Sequence, residues 1–258
     1  MLNSQFPKTN VSLIAFYDRK PPELKSLIGQ LQANLASNES IADKFVPYQL
    51  EQVHGTIIGC EGRKEESGVV NQWFSDRRQE IKYIDLEGAV DYLQHQIDLP
   101  LTIRFGGYNR QGEYNFLSRD EQLYFRSFQL QTAGDKVIPI LIGWSWKNDG
   151  ITLAVDDLRR NFQQFNLLHK YHPTPEAIDN DFYLRLGTIN ARLTATEIKA
   201  IAAQMRNWLA ERSPLDISIG KNNLAFARYQ DLSLTPSKTQ IVPISEITAD
   251  RLRQMYVD

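Results

Sequence analysis

The chain has 258 residues, of which 42% are hydrophobic and 23% are charged. This composition predicts a folded protein with a full hydrophobic core and argues against disorder. The formal net charge of −2 provides no general positive field for nucleic acid, so an anionic ligand would need a local cluster of charges.

The single cysteine, Cys60, excludes an intramolecular disulfide and favours a reducing compartment. The opening residues, MLNSQFPKTN, have no leader-peptide pattern. The most apolar run, VIPILIGWSW, is shorter than the ~20 residues that a membrane-spanning helix needs. We therefore expect a cytoplasmic protein without a membrane segment.

The first half of the chain predicts alternating strands and helices. Leu24, Ile28, Leu31 and Leu35 recur at helical spacing. The elements expected in chain order are a strand at 11–18, a helix at 21–36, a strand through HGTI at 54–57, a helix near 86–97 and strands at 100–106 and 123–130.

The second half repeats this order. Thr194 and Glu197 have the spacing of a capping box at the start of its second helix. The expected elements are a strand at 137–146, a helix at 155–168, a strand through LGTI at 186–189, a helix at 194–211 and strands at 214–220, 224–232 and 241–244.

The repeated order predicts an ancient duplication and an α+β fold. We expect one bilobal domain over residues 1–258, with lobes near 1–135 and 136–258 that are free to exchange elements. Two antiparallel sheets would face a central groove, with helices on the outside. The first half also contains a polar insertion within residues 60–84, which is interpreted as a loop or short helix at a site entrance; a lid, a partner surface and plain surface decoration remain alternatives for it.

With His54-Gly55-Thr56 in one half and Leu186-Gly187-Thr188 in the other, the chain resembles the 2H phosphoesterase superfamily, which includes 2′-5′ RNA ligase-like proteins and cyclic phosphodiesterases. The family carries a His-x-Thr motif on equivalent strands of a duplicated fold. The resemblance implies that His54 is a general acid or base, and that Thr56 and Thr188 bind phosphate oxygens. It also implies a metal-independent reaction without a cofactor.

Leu186 departs from the family pattern, because leucine cannot transfer a proton. The symmetric acid–base mechanism therefore cannot operate with these two motifs alone, and whether the protein is an enzyme stays open. His172, in the HKYHP segment at 169–173, is one hypothesis for a replacement. A zinc site in that segment is not expected, since no cysteine lies near it.

Strand alternation extends the expected groove to four more side chains. Arg104 and Arg126 would bind phosphate, while Tyr124 and Tyr229 would contact a base. Each of these residues also has an ordinary structural interpretation. The arginines would then lie on a solvated face, the tyrosines and threonines would pack in the core, and His54 would be satisfied by a backbone carbonyl.

Three functional hypotheses follow. The first is a 2H-type phosphoesterase acting on cyclic or 2′-5′ phosphodiester bonds of nucleotides or RNA ends, with impaired or altered catalysis. The second is a non-catalytic module on the same fold that binds a nucleotide or RNA phosphate. The third is an interaction protein with a vestigial groove. The sequence leaves the substrate and the oligomeric state open.

Overall fold

The structure is a computed structural model that describes residues 10–148 and 150–256. Its described part contains fourteen strands. In chain order these are β1 (Asn10–Ala15), β2 (Phe45–Pro47), β3 (Gly55–Gly59), β4 (Gly62–Glu65), β5 (Gly68–Asn71), β6 (Leu101–Phe105), β7 (Phe128–Ala133), β8 (Lys136–Lys147), β9 (Gly150–Ile151), β10 (Phe182–Arg185), β11 (Gly187–Ile189), β12 (Leu215–Ile219), β13 (Leu224–Tyr229) and β14 (Thr239–Pro243).

The described residues also contain seven α-helices. They are α1 (Pro22–Ala36), α2 (Gln72–Arg78), α3 (Leu86–Asp91), α4 (Leu123–Arg126), α5 (Ala154–Asn161), α6 (Ala195–Ala210) and α7 (Ala249–Gln254). A π-helical turn, Tyr92–Gln96, continues α3, and a 3₁₀ turn, Phe162–Phe165, continues α5.

The strands form two main antiparallel sheets, which establishes a mixed fold of helices and antiparallel strands. The β1 sheet has the order β14-β13-β1-β3. The β8 sheet has the order β12-β6-β8-β11-β2, and β7, β9 and β10 also pair with β8. The predicted insertion is ordered as the β4–β5 hairpin followed by α2.

Sequence patterns predicted several helices and strands correctly. The four apolar residues of α1 are fully buried, and Pro22 occupies its first turn, where a missing amide costs nothing. The capping box of α6 is present: the Glu197 amide donates to the Thr194 hydroxyl, and the Thr194 amide donates to the Glu197 carboxylate. No helix in the described residues is long and apolar enough to span a bilayer.

The predicted strand over 123–130 is wrong in its first half. Residues 123–126 form the helical turn α4, and β7 begins only at Phe128. The amides of Phe125 and Arg126 donate to the Gln122 carbonyl, and the Ser127 hydroxyl donates to the Tyr124 carbonyl. A short alternation of apolar and polar residues fits one helical turn as well as a strand, and these local bonds select the turn. The opening residues, in which no leader pattern was found, lie outside the described residues up to Thr9.

The two faces of β1 serve different purposes. Val11, Leu13 and Ala15 are buried in the main core. Ile14, on the opposite face, belongs to a small separate cluster with Ala227, Tyr229 and Leu234. The β1 sheet therefore has one face closed by the core and another that borders a cavity.

Arg159 on α5 joins the two sheets. Its guanidinium donates to the carbonyls of Thr56 and Ile57 on β3, at 3.1 and 2.8 Å. It also donates to the carbonyls of Asp179 and Asp181 just before β10, at 2.7 and 3.0 Å. A further bond of 3.1 Å reaches the Asp179 carboxylate. Arg159 is only 2% exposed, so these contacts form in a largely dehydrated interior.

Gly55 lets β3 approach β10 closely. A Cβ atom at this position would lie 1.9 Å from Cζ of Phe182, the first residue of β10 and itself fully buried. The glycine between His54 and Thr56 is therefore required by packing between the sheets.

Gly55→Ala is expected to lower the free energy of unfolding by about 1–3 kcal/mol, because the added methyl group has no space. Gly29→Ala is the matched control, since a Cβ at this position in α1 meets no atom within 4 Å. That change is expected to stabilise the protein by about 0.5–1 kcal/mol through helix propensity. Urea unfolding of both variants tests the pair, and equal effects would contradict the packing argument.

Arg159→Met is expected to lower the free energy of unfolding by about 3–5 kcal/mol, because it removes the closer of the two arginines that pair with the buried Asp179 and leaves several carbonyls without donors. Arg192→Met is the control: Arg192 pairs with Asp135 at 2.7 Å, but the two side chains are 82% and 78% exposed. Arg192→Met should lower the free energy of unfolding by less than about 1 kcal/mol. A small effect at Arg159 in the same unfolding assay would show that it does not join the sheets.

Candidate functional site

A cavity lies where the free face of the β1 sheet meets β10 and the loop before it. The cavity is a small concave site that opens to solvent on one side. Its lining residues are Ser12, His54, Thr56, Gly59, Glu61, Arg159, His169, Lys170, Tyr171, Asp179, Tyr183, Arg185, Tyr229, Leu232 and Leu234.

His54 enters this cavity just before β3 begins. Its Nδ1 bonds to the Gln52 carbonyl at 2.7 Å, so Nδ1 carries the proton and Nε2 is left as an acceptor. No partner for Nε2 is found among residues 10–148 and 150–256. Burial lowers the pKa of His54 to about 4, and the charge of Arg185 contributes in the same direction. The imidazole is therefore neutral at pH 7 and able to accept a proton.

Thr56 and Gly59 both line the cavity because β3 contains a bulge. Ile14 pairs with Thr56, whereas Leu13 pairs with Ile58, so Ile57 is an extra residue in the strand. A bulge shifts the alternation of side chains by one position. This shift places the Gly59 backbone on the same side as the Thr56 hydroxyl.

The cavity has more positive than negative side chains in its wall. Arg159, Lys170 and Arg185 face two carboxyl groups, those of Glu61 and Asp179. Arg159 is bonded to Asp179. Arg185, by contrast, forms no hydrogen bond or ion pair with any residue of the described ranges, so its guanidinium is available to an anion.

The insertion contributes a second part of the wall. The Trp73 indole on α2 donates to Oε2 of Glu61 at 2.7 Å, and the Lys170 ammonium lies 5.3 Å from the centre of the Trp73 ring. Burial raises the pKa of Glu61, although Trp73 and Lys170 oppose the shift. This segment therefore shapes one end of the cavity.

His169 is a cavity residue that the sequence reasoning missed. Its Nε2 bonds to the Asp179 carboxylate at 2.8 Å. The predicted alternative, His172, is fully buried, bonds to Asp156 at 2.8 Å and does not line the cavity. The segment containing Asp179 and Asp181 has the composition of a flexible stretch, but the two residues are only 2% and 1% exposed. The only sequence signal for His169 as a site residue was the pair of histidines, at 169 and 172, followed by the aspartates at 179 and 181.

The structure brings together three of the seven predicted site residues. His54, Thr56 and Tyr229 line the cavity, and the Tyr229 hydroxyl bonds to the Ser12 hydroxyl at 2.9 Å. Thr188 does not line this cavity; its hydroxyl bonds to that of Tyr48 at 3.1 Å.

The other three predicted residues do not line the cavity. Each of them makes contacts elsewhere in the structure. Arg104 pairs with Asp216 at 2.6 Å and lies over the Trp146 ring. Arg126 pairs with the buried Asp181 at 2.9 Å, and the Tyr124 hydroxyl bonds to Asn207. Leu186 is fully buried in the core. Within the described residues, no three His, Cys, Asp or Glu side chains are arranged to hold a metal ion.

The free energy of unfolding is expected to fall as the pH drops from about 6.5 to 4. Burial lowers the pKa of both His54 and His169 to about 4, so the unfolded chain takes up protons in this window that the folded chain does not. Each histidine contributes a slope of up to about 1.4 kcal/mol per pH unit. Urea unfolding at several pH values should show a shallower slope for His169→Gln, and an unchanged slope would contradict the burial of a neutral ring.

No protein-family model matches the chain, and no curated protein matches its sequence. Two solved structures match over most of their length. TT0787 of Thermus thermophilus is 11% identical, with a TM-score of 0.42, over 90% of this chain and 93% of that chain. The conserved protein of unknown function ATU0111 from Agrobacterium tumefaciens is 14% identical, with a TM-score of 0.45, over 93% of this chain and 91% of that chain.

Proposed function

We propose that the cavity binds a phosphate ester, and that the protein is a 2H-type, metal-independent phosphoesterase acting on cyclic or 2′-5′ phosphodiester bonds of nucleotides or RNA ends. One observation carries the proposal. The Arg185 guanidinium, which has no partner within residues 10–148 and 150–256, lines the same cavity as the Thr56 hydroxyl and the His54 ring. The acceptor nitrogen of that ring is also without a partner in these ranges.

Each of these groups has a role in the proposed reaction. Arg185 binds the phosphate oxygens in two parallel hydrogen bonds, as a guanidinium can. Thr56 donates a hydrogen bond to an oxygen that gains charge in the transition state. His54, neutral at pH 7, takes the proton of the attacking water or hydroxyl group.

Aromatic and apolar side chains at the cavity favour a nucleotide over a bare phosphate. Tyr171 and Leu232 line the cavity and are 37% and 55% exposed, so they are accessible to a base. Tyr229 lies deeper and is 4% exposed. Stacking of a base on an aromatic ring contributes about 1–3 kcal/mol.

A phosphate-binding module without catalysis is the second proposal, and the burial of Leu186 favours it. The equivalent position in the 2H family carries the second histidine, and here an apolar side chain is enclosed in the core. Without a second proton-transfer group, the reaction loses a contribution of about 10²- to 10⁴-fold.

The bilobal duplication is part of the same proposal. Its support is the repeated order of β1, α1 and β3 in the first half and β8, α5 and β11 in the second. The matching strands β6 and β12 also pair with each other over five residues of each strand. A cytoplasmic location is proposed as well, supported by the free thiol of Cys60.

Turnover and binding measurements test the proposal together. The wild type is incubated with 2′,3′-cyclic nucleotides and 2′-5′-linked oligonucleotides in EDTA. We expect turnover that falls about 10²- to 10⁴-fold in His54→Ala. Arg185→Met should weaken binding of the same ligands, while Arg192→Met, in an exposed ion pair, is the control for loss of an arginine.

The outcomes separate the hypotheses. Tight binding without turnover would support the module, with the loss of affinity in Arg185→Met locating the ligand. Turnover that persists in His54→Ala would contradict the proposed role of this imidazole. Absence of both binding and turnover across the panel would contradict both proposals and favour a vestigial groove.

A further inference from the structure

We infer that His169, held by Asp179, is the second proton-transfer group of the cavity, in place of the histidine that is absent at position 186. This inference rests on the proposed function. It assigns the role to a residue of the loop between α5 and β10, outside both His-x-Thr positions. Asp179 is then a positioning residue, which acts through the imidazole.

The orientation of the His169 ring is fixed by a buried carboxylate. Asp179 Oδ2 accepts from His169 Nε2 at 2.8 Å and from Arg159 at 3.1 Å. The Asp179 amide donates to the Asp156 carboxylate at 2.7 Å, which holds the backbone in place. A histidine whose second nitrogen is held by a buried carboxylate is the arrangement that orients a catalytic imidazole.

The other nitrogen of His169 has no partner. Nδ1 is enclosed and forms no hydrogen bond within the described residues, although the ring itself lines the cavity. Leaving a buried polar atom unpaired is unfavourable, and such atoms in native structures call for an explanation such as a catalytic role. Because Nδ1 itself has almost no exposed surface, a bound phosphate ester supplies the missing partner after the cavity wall opens at His169.

His172 provides an internal comparison. It lies three residues further along the same loop, its Nε2 bonds to Asp156, and its Nδ1 is also unpaired within the described part of the chain. The two rings are 5.0 Å apart. Only His169 of the two lines the cavity, so these histidines differ chiefly in access to a ligand.

The surroundings of His169 assign it the acid role once a phosphate is bound. Its charged and titratable neighbours are Asp179, Arg159, His172, Lys170 and Tyr171. In the free protein burial and the charge of Arg159 lower the pKa of His169 to about 4, against the opposing effect of Asp179. The partner of His54 is a neutral carbonyl, whereas His169 has this carboxylate to stabilise an imidazolium. The negative charge of a bound phosphate favours the protonated ring further.

The reaction on a 2′,3′-cyclic phosphodiester then balances. A water oxygen bonds to phosphorus, and His54 Nε2 takes the proton of that water. The bond from phosphorus to one ribose oxygen breaks, and this oxygen takes a proton from His169 Nδ1. The product is a phosphate monoester with a free hydroxyl group. Proton exchange with solvent returns His54 to its neutral form, and His169 takes up a proton again when the next phosphate ester binds.

The kinetic test compares His169→Gln with His172→Gln. Glutamine keeps a donor for the neighbouring carboxylate but cannot transfer a proton. In turnover of 2′,3′-cyclic nucleotides, His169→Gln should lower kcat about 10²- to 10⁴-fold and remove one limb of the pH profile of kcat/KM. His172→Gln should keep both limbs. Thermal unfolding confirms that both variants are folded at the assay temperature.

Two kinetic results would overturn the inference. One is turnover that requires His54 and keeps its full pH profile in His169→Gln. The other is an equal loss in both glutamine variants with both limbs preserved, which would indicate that the loop acts only through its packing. In each case wild-type turnover survives, so the proposed function stands while the inference fails.

A binding measurement tests the inference in the case that the protein has no turnover. The chain has four histidines, so ¹⁵N imidazole spectra can be assigned with one variant for each residue. Addition of adenosine 2′-monophosphate should shift the signals of His54 and His169, and leave those of His95 and His172 in place. A shift of His54 alone would overturn the inference. If no histidine responds and no substrate turns over, the proposed function fails, and the inference fails with it.

Discussion

The arrangement of the molecule depends on a single buried guanidinium. Arg159 binds β3 of one sheet and the segment that leads into β10 of the other, with five hydrogen bonds and 2% exposure. A lysine could not replace it, because one ammonium cannot direct donors in the planar pattern that these acceptors require. Since Thr56 and Asp179 are both partners, the same contact sets the distance between the two sides of the cavity.

Around Arg159 the interior is unusually polar for a protein core. Asp156, Asp179 and Asp181 are each 2% exposed or less, and each pairs with at least one cation. Breaking such pairs is costly, although an apolar replacement of the whole set is often tolerated. The main effect of the network is therefore to fix the positions of its side chains. The groups that line the cavity are held in place before any ligand binds.

Helices and strands that depend on nearby residues could be predicted from the sequence. Contacts between segments far apart in the chain could not. The buried stripe of α1, the capping box of α6 and the strand after His54 depend on neighbours a few residues away. The His169–Asp179 pair depends on a loop that folds back on β3. Arg104 and Arg126 fitted the alternation of a groove strand, yet each has an aspartate partner that only the tertiary structure brings near.

The position of β1 has a consequence for how the protein is made. This strand, near the start of the chain, pairs along its length with β13, so that Asn10 faces Tyr229. A ribosome therefore releases most of the polypeptide before β1 can acquire this neighbour. Neither half, synthesised alone, would contain the complete β1 sheet, so the cavity is a property of both halves together.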